Sequence, residues 1–215
     1  MNTISNKKLI GFAAYSGTGK TTLIKLIVKI LNMKFSYKIV SITILLISTI
    51  FSNAQELIIG EERIEPGIVV IFEGAIKDMI MPSSTNLNEN LTDIHIEARV
   101  NWDVNNIPKG TPKGGFVPYL HINALITNQK TGLKTFIDLI PHINLSDNFH
   151  YARNISLPGK IEDLYSVKFT ISPPSKYDVS LHMDWKKEIG NSFFETVTYS
   201  YKDIKFEEIA KASRR

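Results

Sequence analysis

The residues from Asp93 to Val100 carry a pattern that could hold a metal ion. Polar and apolar side chains alternate along this stretch, so that His95, Glu97 and Arg99 share one face of a predicted β-strand. Residues two apart on a strand lie about 7 Å from each other and point the same way, so an imidazole and a carboxylate would stand side by side. The same alternation is typical of a half-buried strand with a polar outer face. The positions of the other histidines therefore matter.

The chain contains five histidines and no cysteine. The lack of cysteine excludes disulfides, zinc–thiolate sites and iron–sulfur clusters, so a metal would have to be held by His, Asp, Glu or Met side chains. All five histidines lie in the second two-thirds of the sequence: His95, His121, His142, His150 and His182.

The composition is that of a globular protein. Of the 215 residues, 43% are hydrophobic and 21% are charged, which argues against wholesale disorder. The net charge is +4, but the lysines are scattered apart from a cluster before residue 39. A nucleic-acid partner is therefore not indicated.

Residues 8–31 have the pattern of a strand, a glycine-containing loop and a helix. The loop predicts a phosphate-binding site in which the backbone around Gly17 and Gly19 cradles phosphate, Lys20 reaches the β- and γ-phosphates and Thr21 holds Mg²⁺. This stretch resembles the start of the adaptor GTPase of molybdopterin-guanine dinucleotide synthesis, over about residues 7–31 only. Phosphoryl transfer also needs an acidic residue on a second strand.

The segment 33–54 reads as a secretory signal peptide. It has a basic start, a charge-free apolar core at 39–51 and a small residue, Ala54, before a polar one. Its core is shorter than the roughly 20 residues of a membrane span. We expect translation from Met33 and cleavage after Ala54, with residues 1–32 as an incomplete upstream graft; an uncleaved anchor is the alternative.

After residue 55 the chain consists of short apolar runs separated by turn signals. This spacing predicts an all-β domain over 55–215, an antiparallel β-sandwich. The predicted strands lie near 56–60, 67–74, 92–101, 117–127, 133–140, 153–157, 165–172 and 194–206.

Seven short segments, in order and with similar spacing, give the domain a recognisable family pattern. They are Ile59–Glu62, Asp93–Ala98, Val117–Leu120, Thr131–Gly132, His150–Tyr151, Ile171–Lys176 and Val197–Tyr199. Together they resemble a family of periplasmic proteins that works beside high-affinity ferrous-iron permeases and includes a spirochaetal lipoprotein antigen.

The resemblance implies an immunoglobulin-like sandwich that binds one copper or other divalent ion per subunit, often as a homodimer. His95 and Glu97 fall on the family's strand ligands, and His150 falls on the histidine of its Pro-His-Tyr stretch. His182 falls on the second histidine of a His-x-His pair, whose first position is Ser180 here.

His142 stands where the family has a methionine in a Met-Pro-Met run. Replacing a thioether by an imidazole removes a soft ligand that suits Cu(I) and favours Cu(II), Fe(II), Mn(II) or Zn(II). Copper or iron is therefore the expected metal, with manganese and zinc as further candidates. The loop predicted at 137–149 is longer than in the family, and His121 has no counterpart there, so we expect His121 to be a strand-face residue.

These features predict a periplasmic metal-binding protein, not an enzyme, that assists an inner-membrane iron permease. The rival interpretation, from residues 14–21, is a P-loop GTP-binding protein of molybdenum-cofactor biosynthesis. A third is an adhesion or scavenging antigen in which the metal is structural.

Overall fold

The computed structural model describes Lys25, Lys29 and residues 56–213. Lys25 and Lys29 are helical. In the described part of the chain, no helix has the length and apolar character that crossing a membrane requires.

Both N-terminal predictions fall outside these residues. The phosphate-loop residues Gly17, Gly19, Lys20 and Thr21 are among those not described, and so is the signal segment 33–54. Nucleotide binding and export therefore stay predictions from the sequence.

Eight antiparallel strands form the framework of the described chain. They are β1 (Glu56–Ile64), β2 (Ile68–Ala75), β3 (Ile94–Trp102), β4 (His121–Asn128), β5 (Lys134–Asn144), β6 (Asn148–Ile155), β7 (Leu164–Ser172) and β8 (Val197–Lys205). Two short helices, α1 (Met183–Glu188) and α2 (Glu207–Lys211), and a 3-10 turn at Glu89–Leu91 are also present.

Strand β5 joins the two layers of the fold. The strands are hydrogen-bonded in the order β1-β2-β3-β6-β5-β4-β7-β8. The first half of β5, up to Leu139, pairs with β4, whereas its second half, from Ile140 to Asn144, pairs with β6. A strand that changes partners in this way makes a corner of a sandwich. It also carries His142 into the layer that contains β3 and β6.

The apolar faces of the layers meet in one core. Phe72 of β2 stacks on Phe169 of β7 with ring centroids 4.0 Å apart, and both side chains are fully buried. At the outer strands, Tyr201 of β8 packs over Gly60 of β1, and its hydroxyl donates to Glu62 Oε1 at 2.8 Å. The first and last strands therefore approach each other, and the sandwich is nearly a closed barrel.

The predicted antiparallel sandwich is confirmed, and each predicted strand overlaps an observed one. The prediction of a loop at 137–149 was wrong, because β5 continues to Asn144 and β6 begins at Asn148. Pro141 and the polar residues at 144 and 146–148 are typical of a loop, but here they form the end of a strand and a tight hairpin turn.

Candidate metal centre

Three histidines from three neighbouring strands converge on one point. His95 lies on β3, His142 on β5 and His150 on β6. One ring nitrogen from each comes within 4.8 Å of those of the other two. Two nitrogens bound to one ion at about 2.0–2.1 Å are at most about 4.2 Å apart. Small side-chain rotations would therefore close the cluster around a single cation.

His142 supports this assignment most directly. Both of its ring nitrogens are buried, and neither has a hydrogen-bond partner. Burial lowers the pKa of His142 to about 4, helped by the charges of His150 and Arg153. The ring is therefore neutral at physiological pH and has a lone pair available, which is the form that binds a metal.

His150 is oriented by the backbone of the hairpin turn. Its Nδ1 lies 3.1 Å from the carbonyl oxygen of Asn148. Because a carbonyl can only accept, Nδ1 carries the proton, and Nε2 holds the lone pair that can bind metal. Asn148 has a φ of 63° and belongs to the turn that sets the β5–β6 register. The turn therefore orients the ring as well as connecting the strands.

Glu97 adds a carboxylate beside the imidazoles. Its Oε1 lies 3.6 Å from His95 Nε2, and the side chain is buried. Burial is the main cause that raises the pKa of Glu97 to about 8, with contributions from Asp147 and Glu73. A cation bound beside it would favour the ionised form, so Glu97 can serve as a ligand that gives up a proton on binding.

Glu73 faces Glu97 directly across the β2–β3 ladder and is fully buried. Arg99 Nη2 donates to Glu73 Oε1 at 2.5 Å and lies 3.6 Å from Glu56 Oε2. Burial raises the pKa of Glu73 even though the Arg99 charge opposes it. The region next to the histidines is therefore rich in carboxylates with one guanidinium among them.

His182 and His121 are not in the cluster. His182 is exposed and precedes α1, a helix that packs through Trp185 against Trp102 at the end of β3 farthest from His95. His121 is exposed at the start of β4, where its Nε2 lies 2.8 Å from Asp178 Oδ2. Of the predicted ligands, the structure thus brings together His95, His142 and His150, with Glu97 beside them.

Several residues that shape this site are not identifiable from the sequence alone. Asn154 contacts the His95 ring through a hydrogen bond of 2.8 Å. Glu73 and Arg99 form the buried ion pair next to Glu97. The alternation on β3 places Arg99 on the same face as His95, but nothing local shows that Glu73 lies opposite Glu97 or that Asn154 lies opposite His95.

The comparison with known families decides what kind of protein carries this site. The model of a family described as Fe2+ transport protein matches residues 53–208, well over half of the chain. The chain belongs to the Fe2+ transport protein family. The family resemblance found in the sequence is thereby confirmed.

A known relative is the 34 kDa membrane antigen of Treponema pallidum (strain Nichols), which is 29% identical over 102 residues. That match spans 47% of this chain and 49% of the antigen, about half the length of each.

Two solved structures share the fold of this family member. A copper-bound variant of Campylobacter jejuni P19 has a TM-score of 0.59 and 29% identity, covering 69% of this chain and 96% of that one. FetP of uropathogenic Escherichia coli, expressed recombinantly in the periplasm, has a TM-score of 0.57 and 25% identity. The match covers 69% of this chain and 94% of FetP.

Proposed function

We propose that this Fe2+ transport family member binds one divalent ion, copper or iron, at the cluster of His95, His142 and His150. The observation that carries the proposal is the convergence of three ring nitrogens within 4.8 Å, together with the two buried and unpaired nitrogens of His142. A buried polar atom without a partner costs free energy, and a metal ion would remove that cost for one of the two nitrogens. The residues therefore fit a cation.

The donor set selects the class of metal. Three imidazoles and one carboxylate form a borderline nitrogen and oxygen site, to which Cu(II) binds most tightly among the common divalent ions. Iron, manganese and zinc suit the same donors, so the supply of each metal decides which one is bound in the cell. The copper-bound structure of P19 supports copper as a ligand of this fold.

The place of action is the periplasm, and the role is an accessory one in iron uptake through an inner-membrane permease. The family description supports a part in Fe2+ transport. The predicted signal segment 33–54 supports export, and so does FetP, which was isolated after expression in the periplasm. The protein acts by binding and transferring ions, and it is not an enzyme.

Two predictions, a homodimer and a ligand role for His182, are compatible in one arrangement. His182 lies at the same end of the fold as Trp102, the last residue of β3. His95 precedes Trp102 by seven residues on β3, which places these two residues about 23 Å apart at the usual rise per residue. A ligand role for His182 therefore requires a second copy, whose site it would complete. In such a dimer each centre has His95, His142 and His150 from one subunit and His182 of the other.

Metal titration tests the proposal. The purified protein should bind about one equivalent of Cu(II), measured by competition with a chelator of known affinity. His95→Ala and His150→Ala should each lose most of this binding, because each removes one nitrogen ligand. His121→Ala is the matched control, since His121 lies outside the cluster and should leave the affinity unchanged. Unchanged affinity in both cluster variants would refute the site.

A further inference from the structure

We propose that Asn154 is a positioning residue of the metal centre, whose amide holds the His95 ring with its proton on Nδ1 and so turns the lone pair of Nε2 towards the cation. The inference rests on the proposed function, because it concerns how that site is kept ready to bind. Asn154 lies directly opposite His95 in the β3–β6 ladder and is 2% exposed.

The orientation of the Asn154 amide is fixed by two backbone carbonyls. Its Nδ2 lies 2.8 Å from the carbonyl oxygen of Asp78 and 3.0 Å from that of Leu87. Carbonyls only accept hydrogen bonds, so the NH₂ group must face them and uses both of its hydrogens. The reverse orientation would place the amide oxygen against two other oxygens. The side chain is therefore held with Oδ1 towards β3.

The amide in turn fixes the tautomer of His95. Asn154 Oδ1 lies 2.8 Å from His95 Nδ1, and an amide oxygen cannot donate. Nδ1 must therefore carry the proton of the neutral imidazole, which leaves the lone pair on Nε2. That nitrogen lies on the side of Glu97, whose Oε1 is 3.6 Å away. The ligand atom is thus selected before any cation arrives.

The loop between β2 and β3 provides the carbonyl oxygens that hold the Asn154 amide. Asp78 and Leu87 both belong to it, and Asn154 joins its two arms through one amide group. The residue opposite His95 on its other side is Ala75, whose small side chain leaves the imidazole room. The loop therefore orients the amide, and the amide orients the ring. Partners of this kind typically contribute about 10–100-fold to metal affinity.

Nuclear magnetic resonance on the metal-free full-length protein tests the tautomer directly. The chain has only five histidines, so labelling histidine alone with ¹⁵N gives a spectrum that can be assigned. Long-range couplings from the ring carbons distinguish a protonated Nδ1 from a protonated Nε2. We expect the proton of His95 on Nδ1. A proton on Nε2 in the folded wild-type protein would overturn the proposal, whatever the variants do.

Three variants separate positioning from general stability. Asn154→Leu removes the acceptor and should weaken Cu(II) binding about 10–100-fold while mixing the His95 tautomers. Asn154→Asp keeps an acceptor for Nδ1 but loses the NH₂ group that the two carbonyls hold, so its affinity for Cu(II) should lie between those of the wild type and Asn154→Leu. Asn128→Leu is the matched control, because Asn128 is a fully buried, hydrogen-bonded amide at the end of β4. It should lower stability without changing metal affinity.

The outcomes distinguish this inference from the proposed function. Wild-type affinity in Asn154→Leu would refute a positioning role, and so would an equal loss of affinity in Asn128→Leu. Failure of the wild-type protein to bind Cu(II) would instead count against the metal site itself. The tautomer measurement needs no metal, so it tests the role of Asn154 even if the protein does not bind Cu(II).

Discussion

His142 and His150 lie directly opposite each other across the β5–β6 ladder, with ring centroids 6.0 Å apart. His95, on β3 next to β6, places its ring 5.3 Å from that of His142. Three neighbouring strands thus contribute one imidazole each, and hydrogen bonds between the strands hold their spacing. A site built on paired strands is more rigid than one built on loops. We therefore expect metal binding to respond to the identity of the ligands more than to loop movement.

The imidazole at position 142 should set the oxidation state that the site prefers. His142→Met restores a soft thioether, which suits Cu(I) better than Cu(II). We expect the ratio of Cu(I) to Cu(II) affinity to rise about tenfold, which corresponds to about 1.4 kcal/mol. Competition with chelators specific for each oxidation state measures this ratio. His121→Met serves as the control, because its exposed side chain lies outside the cluster; an equal change there would contradict the prediction.

Metal binding should release a proton from Glu97. Its pKa is raised to about 8, so the carboxyl group is neutral at pH 7 and must ionise to act as a ligand. Release should be near one proton per ion at pH 7 and should fall as the pH rises past 8. Calorimetric titrations in buffers of different ionisation enthalpy measure it. Glu97→Gln has no carboxyl proton to lose, and an unchanged release in that variant would rule out Glu97 as the source.

The raised pKa also has a consequence for the metal-free protein. The folded state holds the Glu97 proton more tightly than the unfolded state, in which the pKa of this carboxyl group is near its usual value of 4.5. The folded state therefore binds more protons between these two pKa values, and stability must fall as the pH rises through that window. Urea unfolding at several pH values should show this fall in the wild type and a smaller one in Glu97→Gln.

Some parts of the site could be predicted from the sequence because the pattern that encodes them is local. The alternation from Asp93 to Val100 places His95 and Glu97 on one face of a strand, since side chains of a strand alternate with period two. Burial of that face is not local information, because the same alternation is typical of a strand whose polar face is exposed. The strand and its two candidate ligands therefore follow from a few neighbouring residues.

Other parts could not be predicted, because they depend on which strands pair. The segment from Pro141 to Asn148 has the composition of a loop, and only pairing with the rest of the sheet makes it a hairpin that sets His142 opposite His150. Asn154 is indistinguishable in sequence from a surface asparagine. Its role becomes visible only when the β3–β6 register brings it to His95. Register between distant strands is tertiary information.

Arg99 should be essential for stability because it neutralises a buried charge. Arg99→Ala would leave Glu73, which is fully buried, without its partner. Loss of one partner of a buried pair costs about 3–5 kcal/mol, and because Arg99 itself is partly exposed we expect the lower end of that range. Adding Glu73→Gln to the same chain should recover most of this loss. Denaturant unfolding at pH 7 measures both. Arg63→Ala is the control, because the exposed Arg63 side chain forms its ion pair with Asp103 at the surface. Surface ion pairs contribute about 1 kcal/mol or less.

Mixed dimers should show whether His182 completes the centre of a second copy. His95→Ala and His182→Ala proteins should each bind Cu(II) weakly when pure. After subunit exchange, half of the dimers are mixed, and each mixed dimer has one centre with both histidines intact. About a quarter of all centres should therefore recover, as expected for a two-fold symmetric dimer. Chelator competition before and after exchange measures this recovery.

A second mixture of variants is the control for this experiment. His95→Ala mixed with His150→Ala should recover nothing, because both residues belong to the cluster within one subunit and every centre then lacks a ligand. Recovery in that mixture would mean that the cluster itself is shared between subunits. Wild-type affinity in the pure His182→Ala protein would show that His182 is no ligand and that the three imidazoles with Glu97 suffice.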